Sequence, residues 1–150
     1  NAEDEAVCRA MGAEHVVNHR EEGWGDALLA CTGEQKIDRV VDVEFGANLP
    51  ELLKCLRIGA TIATYSSTQV REPALPFLQM MFMDLTIRMV IVYAMPEDAK
   101  HQAVADICHL LEAGSLQHRV AHCLPFTEMA RSHELIEQGG FGGCVVVTVP

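Results

Sequence analysis

Basic residues are scarce. Lys and Arg number 11 against 21 Asp and Glu, a net charge of −10 with no basic stripe, so the counterion release that drives nucleic-acid binding is missing. Nucleic acid and anionic membrane surfaces are therefore not expected partners. A long apolar run is lacking too. The most apolar stretch, Met89 to Met95, has the length of a strand and falls well short of the roughly 20 residues that cross a bilayer. No charged-then-apolar leader opens the chain, and a cytoplasmic location is expected.

Metal and nucleophile signatures are also missing. The six cysteines, Cys8, Cys31, Cys55, Cys108, Cys123 and Cys144, show neither CxxC nor a pairing rhythm, which favours free, buried thiols in a reducing compartment. His118, His122 and Cys123 place three donors within a few residues but lack a fourth partner, so no zinc is expected. Ser66, Ser67, Ser115 and Ser132 lack a GxSxG context. The acidic pairs Glu21-Glu22 and Glu97-Asp98 suit helix starts and solvated faces. His133 lies on the apolar side of its helix, where a hydrogen-bonded core histidine is the simpler assignment. The run Gly139 to Gly143 precedes a strand instead of joining strand to helix, so it reads as a turn and not as a phosphate loop.

What is present is a globular composition, 49% apolar and 21% charged over 150 residues, which excludes a disordered chain and suits one domain. Two kinds of segment alternate. Helices are predicted over the acidic start up to Gly12, from Trp24 to Cys31, from Asn48 as N-cap through Leu56, around Leu75 to Met83, from Pro96 to Gly114, and from Thr127 to Gln138. Strands are predicted at His15 to Asn18, Arg39 to Val43, Thr61 to Tyr65, Thr86 to Tyr93, Arg119 to Leu124 and Cys144 to Val149. Such alternation specifies an α/β fold, a doubly wound, mostly parallel sheet with helices on both faces.

Ligands of such sheets bind beyond the carboxyl ends of the strands, where the strand order reverses. The candidate positions are therefore Asn18 and His19, Glu44 to Asn48, Tyr65 to Thr68, and Tyr93 with Ala94. Small and polar residues predominate there, as close approach to a nucleotide requires, although the same residues suit ordinary turns.

The stretches from Arg9 to Glu22, Ile37 to Asp42 and Leu56 to Thr61, followed in the same order by Leu85 to Val90, Leu124-Pro125-Phe126 and Ser132 to Ile136, resemble the medium-chain dehydrogenase/reductase family. The similarity covers almost the whole chain and is nearest to the zinc-independent quinone oxidoreductases of the zeta-crystallin type. It implies an incomplete Rossmann-like unit: residues 1–118 as a cofactor-binding domain lacking its first two strands, and 119–150 as a segment returning toward a catalytic domain outside this chain. It implies NADP as cofactor, with NAD possible, and a small-molecule acceptor.

Carried over by position, the resemblance places cofactor contacts on His19 at the adenosine side, on Asn48, on Tyr65, Ser66, Ser67 and Thr68, and on Val90, Ile91 and Val92 within the last Rossmann strand. It assigns no catalytic residue to this chain. It further implies a homodimer, the strand at 86–93 pairing antiparallel with its twin. Departures bear on the choice of cofactor. Where many relatives hold a Lys near the adenosine 2′-phosphate, this chain has Asp4 between Glu3 and Glu5, and a Lys common near the C-terminus is here Cys144. A strand at His15 to Asn18 without its Rossmann neighbours is expected either to slide beside Val40 to Val43 or to be completed by a second chain. The alternative to an oxidoreductase is a non-catalytic, nucleotide-sensing or interaction module of the same shape.

Overall fold

In the computed structural model, residues 2–150 are described. Helix α1 (Ala2–Ala10) opens on Glu3, Asp4 and Glu5, which favour the positive end of the helix dipole. Helix α2 is Trp24–Cys31. Strand β1 (Ile37–Asp42), helix α3 (Phe45–Cys55) and strand β2 (Leu56–Thr64) then follow with almost no linker. Helix α4 (Phe77–Phe82) leads to strand β3 (Thr86–Met89), and helix α5 is Glu97–Glu112. Strand β4 (Val120–Pro125), helix α6 (Met129–Gln138) and strand β5 (Cys144–Thr148) complete the chain.

All the strand pairing is parallel. The first sheet has the order β1-β2-β3, with Val40 opposite Ile62 and Ile62 opposite Ile87; β4 and β5 form a separate pair. The predicted α/β class with parallel strands and flanking helices is thus the observed one. The core lies on one face of the first sheet. Leu49, Leu52, Leu53 and Cys55 of α3 close over Ala60 and Ile62 of β2, with Leu29 of α2 and Met80 of α4 at the margins. This is the 3.6-residue apolar stripe of a helix meeting the alternate residues of a strand. Burial pushes the Cys55 thiol pKa up, so this cysteine is an inert core residue, whereas Cys8, Cys31, Cys108, Cys123 and Cys144 are exposed and not the buried thiols expected. The opposite face is open, and Val41 is 80% exposed there.

Several expected boundaries shift. His15 to Asn18 is not a strand: it runs as irregular chain, and among the described residues β1 ends the sheet with nothing paired on its outer side, so the segment has not moved beside Val40 to Val43. An isolated strand has no ladder to satisfy its backbone groups, so period alone cannot create one. The strand predicted at 86–93 stops at Met89, and Val92 begins a single 3-10 turn over Val92–Ala94. Val90 to Val92 therefore lie beyond the strand and not within it. Helix α3 begins at Phe45, and Asn48 is inside its first turn, not its N-cap.

Tertiary contact is the reason for that early start. The N–H groups of Phe45 and Gly46 donate to Ser66 O (3.0 Å) and Ser67 Oγ (2.9 Å) from the loop after β2, so the helix is capped from outside its own sequence. Pro50 is then interior to α3, where it leaves the Gly46 carbonyl without its helical donor. Gly59, expected just past a helix end, lies inside β2 at φ +75° and donates to Met83 O at 2.9 Å. Its left-handed backbone accompanies the register shift between Ile37 and Arg39.

Candidate functional site

The carboxyl ends of β1 and β2 are joined by a dense set of hydrogen bonds. Asp42, the last residue of β1, is 4% exposed. Its Oδ1 accepts from the Glu44 N–H at 2.6 Å, its Oδ2 accepts from Asn48 Nδ2 at 3.1 Å, and its backbone carbonyl accepts from the Tyr65 N–H at 3.2 Å. Glu44 reaches across in the other direction. Its carboxylate accepts from the Thr68 N–H (3.0 Å), Thr68 Oγ1 (2.6 Å) and the Gln69 N–H (2.8 Å). The Thr68 hydroxyl is the largest influence holding the Glu44 carboxyl below its ordinary pKa; desolvation opposes it and the loop amides reinforce it.

On the other side of the cleft, the turn after the irregular segment is built by Asn18. Its Oδ1 accepts from the Arg20 N–H at 3.2 Å, its carbonyl accepts from the Glu21 N–H at 3.0 Å, and its Nδ2 donates to Glu21 Oε1 at 2.8 Å. An asparagine that bonds the backbone two residues on makes such a corner without help from a sheet. His19 and Arg20 occupy its tip, and both are exposed.

These pieces meet in a cleft of about 650 Å³ lined by His19, Arg20, Val43, Glu44, Ala47, Asn48 and Gln69. His19 and Asn48, 29 residues apart in the sequence, are thus brought together. Tyr65, Ser66, Ser67 and Thr68 form the loop that caps α3 from beyond β2. There the Ser67 hydroxyl accepts from Gly46 and donates to Val70 O, and the Thr68 hydroxyl is held by Glu44. Val90 donates its N–H to Thr64 O at 2.8 Å, which carries the chain past the end of β3; Val90, Ile91 and Val92 do not line this cleft. Arg20 and Gln69 line it without having been singled out in the sequence. Arg20 adjoins His19 and was discoverable by adjacency. Gln69 lies in an irregular loop where no periodicity reports position.

The volume suits a small-molecule cleft, and the lining mixes small apolar residues with a few convergent polar groups. No described residue donates to Asn48 Oδ1, which leaves an acceptor for a hydroxyl or amide of a ligand. Among the described residues no carboxylate lies within ion-pair distance of the Arg20 guanidinium. The cleft thus presents an amide acceptor, an imidazole and a guanidinium side by side. Among the described residues no group of three or more His, Cys, Asp or Glu is placed to hold a metal ion.

The parallel sheet and its strand-end cleft define a Rossmann-like α/β protein. Residues 11–147 match the family model described as zinc-binding dehydrogenase, and the chain belongs to that family, within the medium-chain dehydrogenase/reductases, as the ordered motifs implied. It is 25% identical over 146 residues to a quinone oxidoreductase of Sus scrofa, covering 97% of this chain and 44% of that protein. A solved NAD-dependent alcohol dehydrogenase superposes with a TM-score of 0.81 at 25% identity, covering 100% of this chain and 42% of the other. CurA of Vibrio vulnificus, solved in complex with NADPH, shares the fold with a TM-score of 0.77 at 14% identity, covering 100% of this chain and 47% of its own. The chain therefore spans less than half the length of these relatives.

Proposed function

We propose that this chain supplies half of the cofactor platform of a zinc-independent, quinone reductase-like oxidoreductase that moves a hydride from a nicotinamide cofactor to a quinone or other activated alkene or carbonyl. The observation that carries the proposal is the cleft at the carboxyl ends of β1 and β2, where His19 and Asn48 converge. A bound nicotinamide cofactor would supply the hydride chemistry; the residues here bind, orient and exclude water. His19 and Arg20 would face the adenosine end, Asn48 would accept from a ribose hydroxyl or amide, and the loop Tyr65 to Thr68 with Val90 to Val92 would flank the remainder. Residues 1–118 would form the cofactor-binding part and 119–150 the return toward the catalytic part. The chain by itself would then lack acceptor contacts and be inactive.

NADP is the first choice of cofactor because Arg20 is an unpaired cation in the cleft; NAD is the alternative because Asp4 and Glu5 line an adjoining cleft with His19 and Arg20. The partners proposed are the cofactor, a small-molecule acceptor and a second copy paired along the edge strand β3. No described helix is long and apolar enough to cross a membrane, and we place the protein in the cytoplasm. The acidic helix start at Glu3 to Glu5 favours the second reading, a nucleotide-sensing or interaction module without catalysis. Titration of the full-length protein with NADPH and NADH, followed by cofactor fluorescence, separates the two. Saturable binding supports the oxidoreductase, and its absence at millimolar cofactor supports the module.

A further inference from the structure

We infer that Asp42 is a positioning residue for the cleft: it holds the Asn48 carboxamide so that the amide oxygen faces the ligand. This rests on the cofactor reading above and adds to it a residue that never touches the ligand. Asp42 is all but inaccessible, and each of its carboxylate oxygens has one protein donor, the Glu44 N–H on Oδ1 and Asn48 Nδ2 on Oδ2.

A carboxylate only accepts hydrogen bonds, whereas a carboxamide carries a donor end and an acceptor end. The end of Asn48 that faces Asp42 is thus bound to be its NH2, and the end left over is its oxygen, in a cleft where no described residue donates to it. Without Asp42 the amide is free to turn over, and half of its orientations offer a donor where a ribose hydroxyl or ligand amide needs an acceptor. The same carboxylate fixes the Glu44 backbone, and Glu44 in turn grips Thr68 and Gln69 on the far wall. One buried group therefore sets the polarity of one wall and the position of the other.

The two roles are separated by a cycle of variants of the full-length protein: Asp42→Asn, Asn48→Ala and the pair, each titrated with NADPH beside wild type. In Asp42→Asn the new amide keeps the Glu44 N–H on its oxygen only by turning its NH2 toward Asn48, which then turns over to accept and leaves its own NH2 facing the ligand. If Asp42 acts through Asn48, the substitution weakens NADPH about three- to tenfold in the wild-type background, the size of one hydrogen bond. It then has no further effect in the Asn48→Ala background. Equal weakening in both backgrounds means that Asp42 acts through the turn alone, and overturns the inference while leaving the cofactor reading intact. No saturable binding by wild type overturns both.

Should Asp42→Asn fail to fold, wild-type protein labelled with 15N answers the same question. The Asn48 side-chain NH2, held by the buried Asp42 carboxylate, should exchange its hydrogens with water more slowly than a free side-chain amide, and that slow exchange should persist when NADPH binds. Loss of that slow exchange on binding would show the amide released from Asp42 and refute the inference.

Discussion

At the scale of single residues, the clamp by Glu44 makes a pH prediction whose sign is fixed by its causes. A carboxyl with a lowered pKa in the folded chain adds stability that is complete above the ordinary glutamate range and is lost as pH falls through the lowered value. Hydrogen-exchange protection of the Thr68 and Gln69 amides should accordingly drop on acidification below that range, and Glu44→Gln should show the weakened protection at every pH. Gly46 makes a second, steric prediction. A Cβ there would lie 2.4 Å from Val70 O and 2.7 Å from Ser67 Oγ, so Gly46→Ala must displace the loop. A cost of about 1–3 kcal/mol in denaturant unfolding is expected, with the loop amides exchanging faster. For Arg20→Ala the expected outcome is a loss of NADPH binding of about 1 kcal/mol, with NADH little changed. Comparable losses for both cofactors would remove Arg20 from the 2′-phosphate side. His19 and Asn48 were singled out by their places in the ordered motifs, although the segment before His19 is no strand and Asn48 lies inside α3. Asp42 was legible only as a residue inside the β-branched run Arg39 to Val43, since its work depends on Asn48 and Tyr65 folding back over it.

At the scale of elements, the apolar periodicity of α3 and β2 was sufficient to locate the core. Ile62 is 0% exposed, and Ile62→Ala should cost about 2–5 kcal/mol in denaturant unfolding. Element ends were less legible than element interiors. The start of α3 moved to Phe45 because its donors are met by Ser66 and Ser67, residues that follow it by some twenty positions. Strand β3 ended early, but its place at the sheet edge agrees with the alternation of the chain. The Val90 N–H turns inward to Thr64, so by alternation the Met89 N–H points outward along the free edge. If two chains pair there, Met89→Pro removes an outward donor without breaking the ladder to β2. Light scattering at tens of micromolar should then find a dimer for wild type and a monomer for the variant; a wild-type monomer would refute the pairing.

At the scale of the whole molecule, charge and exposed apolar surface oppose each other. Each chain carries a net charge of −10, while Val41 on β1, Phe82 at the end of α4 and Tyr93 beyond β3 are 80%, 75% and 89% exposed. Repulsion between copies is screened as the Debye length falls from about 30 Å at 0.01 M salt to about 8 Å at 0.15 M. Association should therefore strengthen across that range, which sedimentation at the two salt concentrations would test. Sequence alone determined the α/β class, the parallel arrangement and the family, because periodicity and the order of local motifs are written along the chain. Tertiary structure decided that His15 to Asn18 is no strand, that α3 is capped by a distant loop, and that Asp42 faces Asn48. The physical reason is that a hydrogen bond is complete only when its partner arrives: none reaches His15 to Asn18, the loop after β2 reaches the start of α3, and the first turn of α3 carries Asn48 back to Asp42.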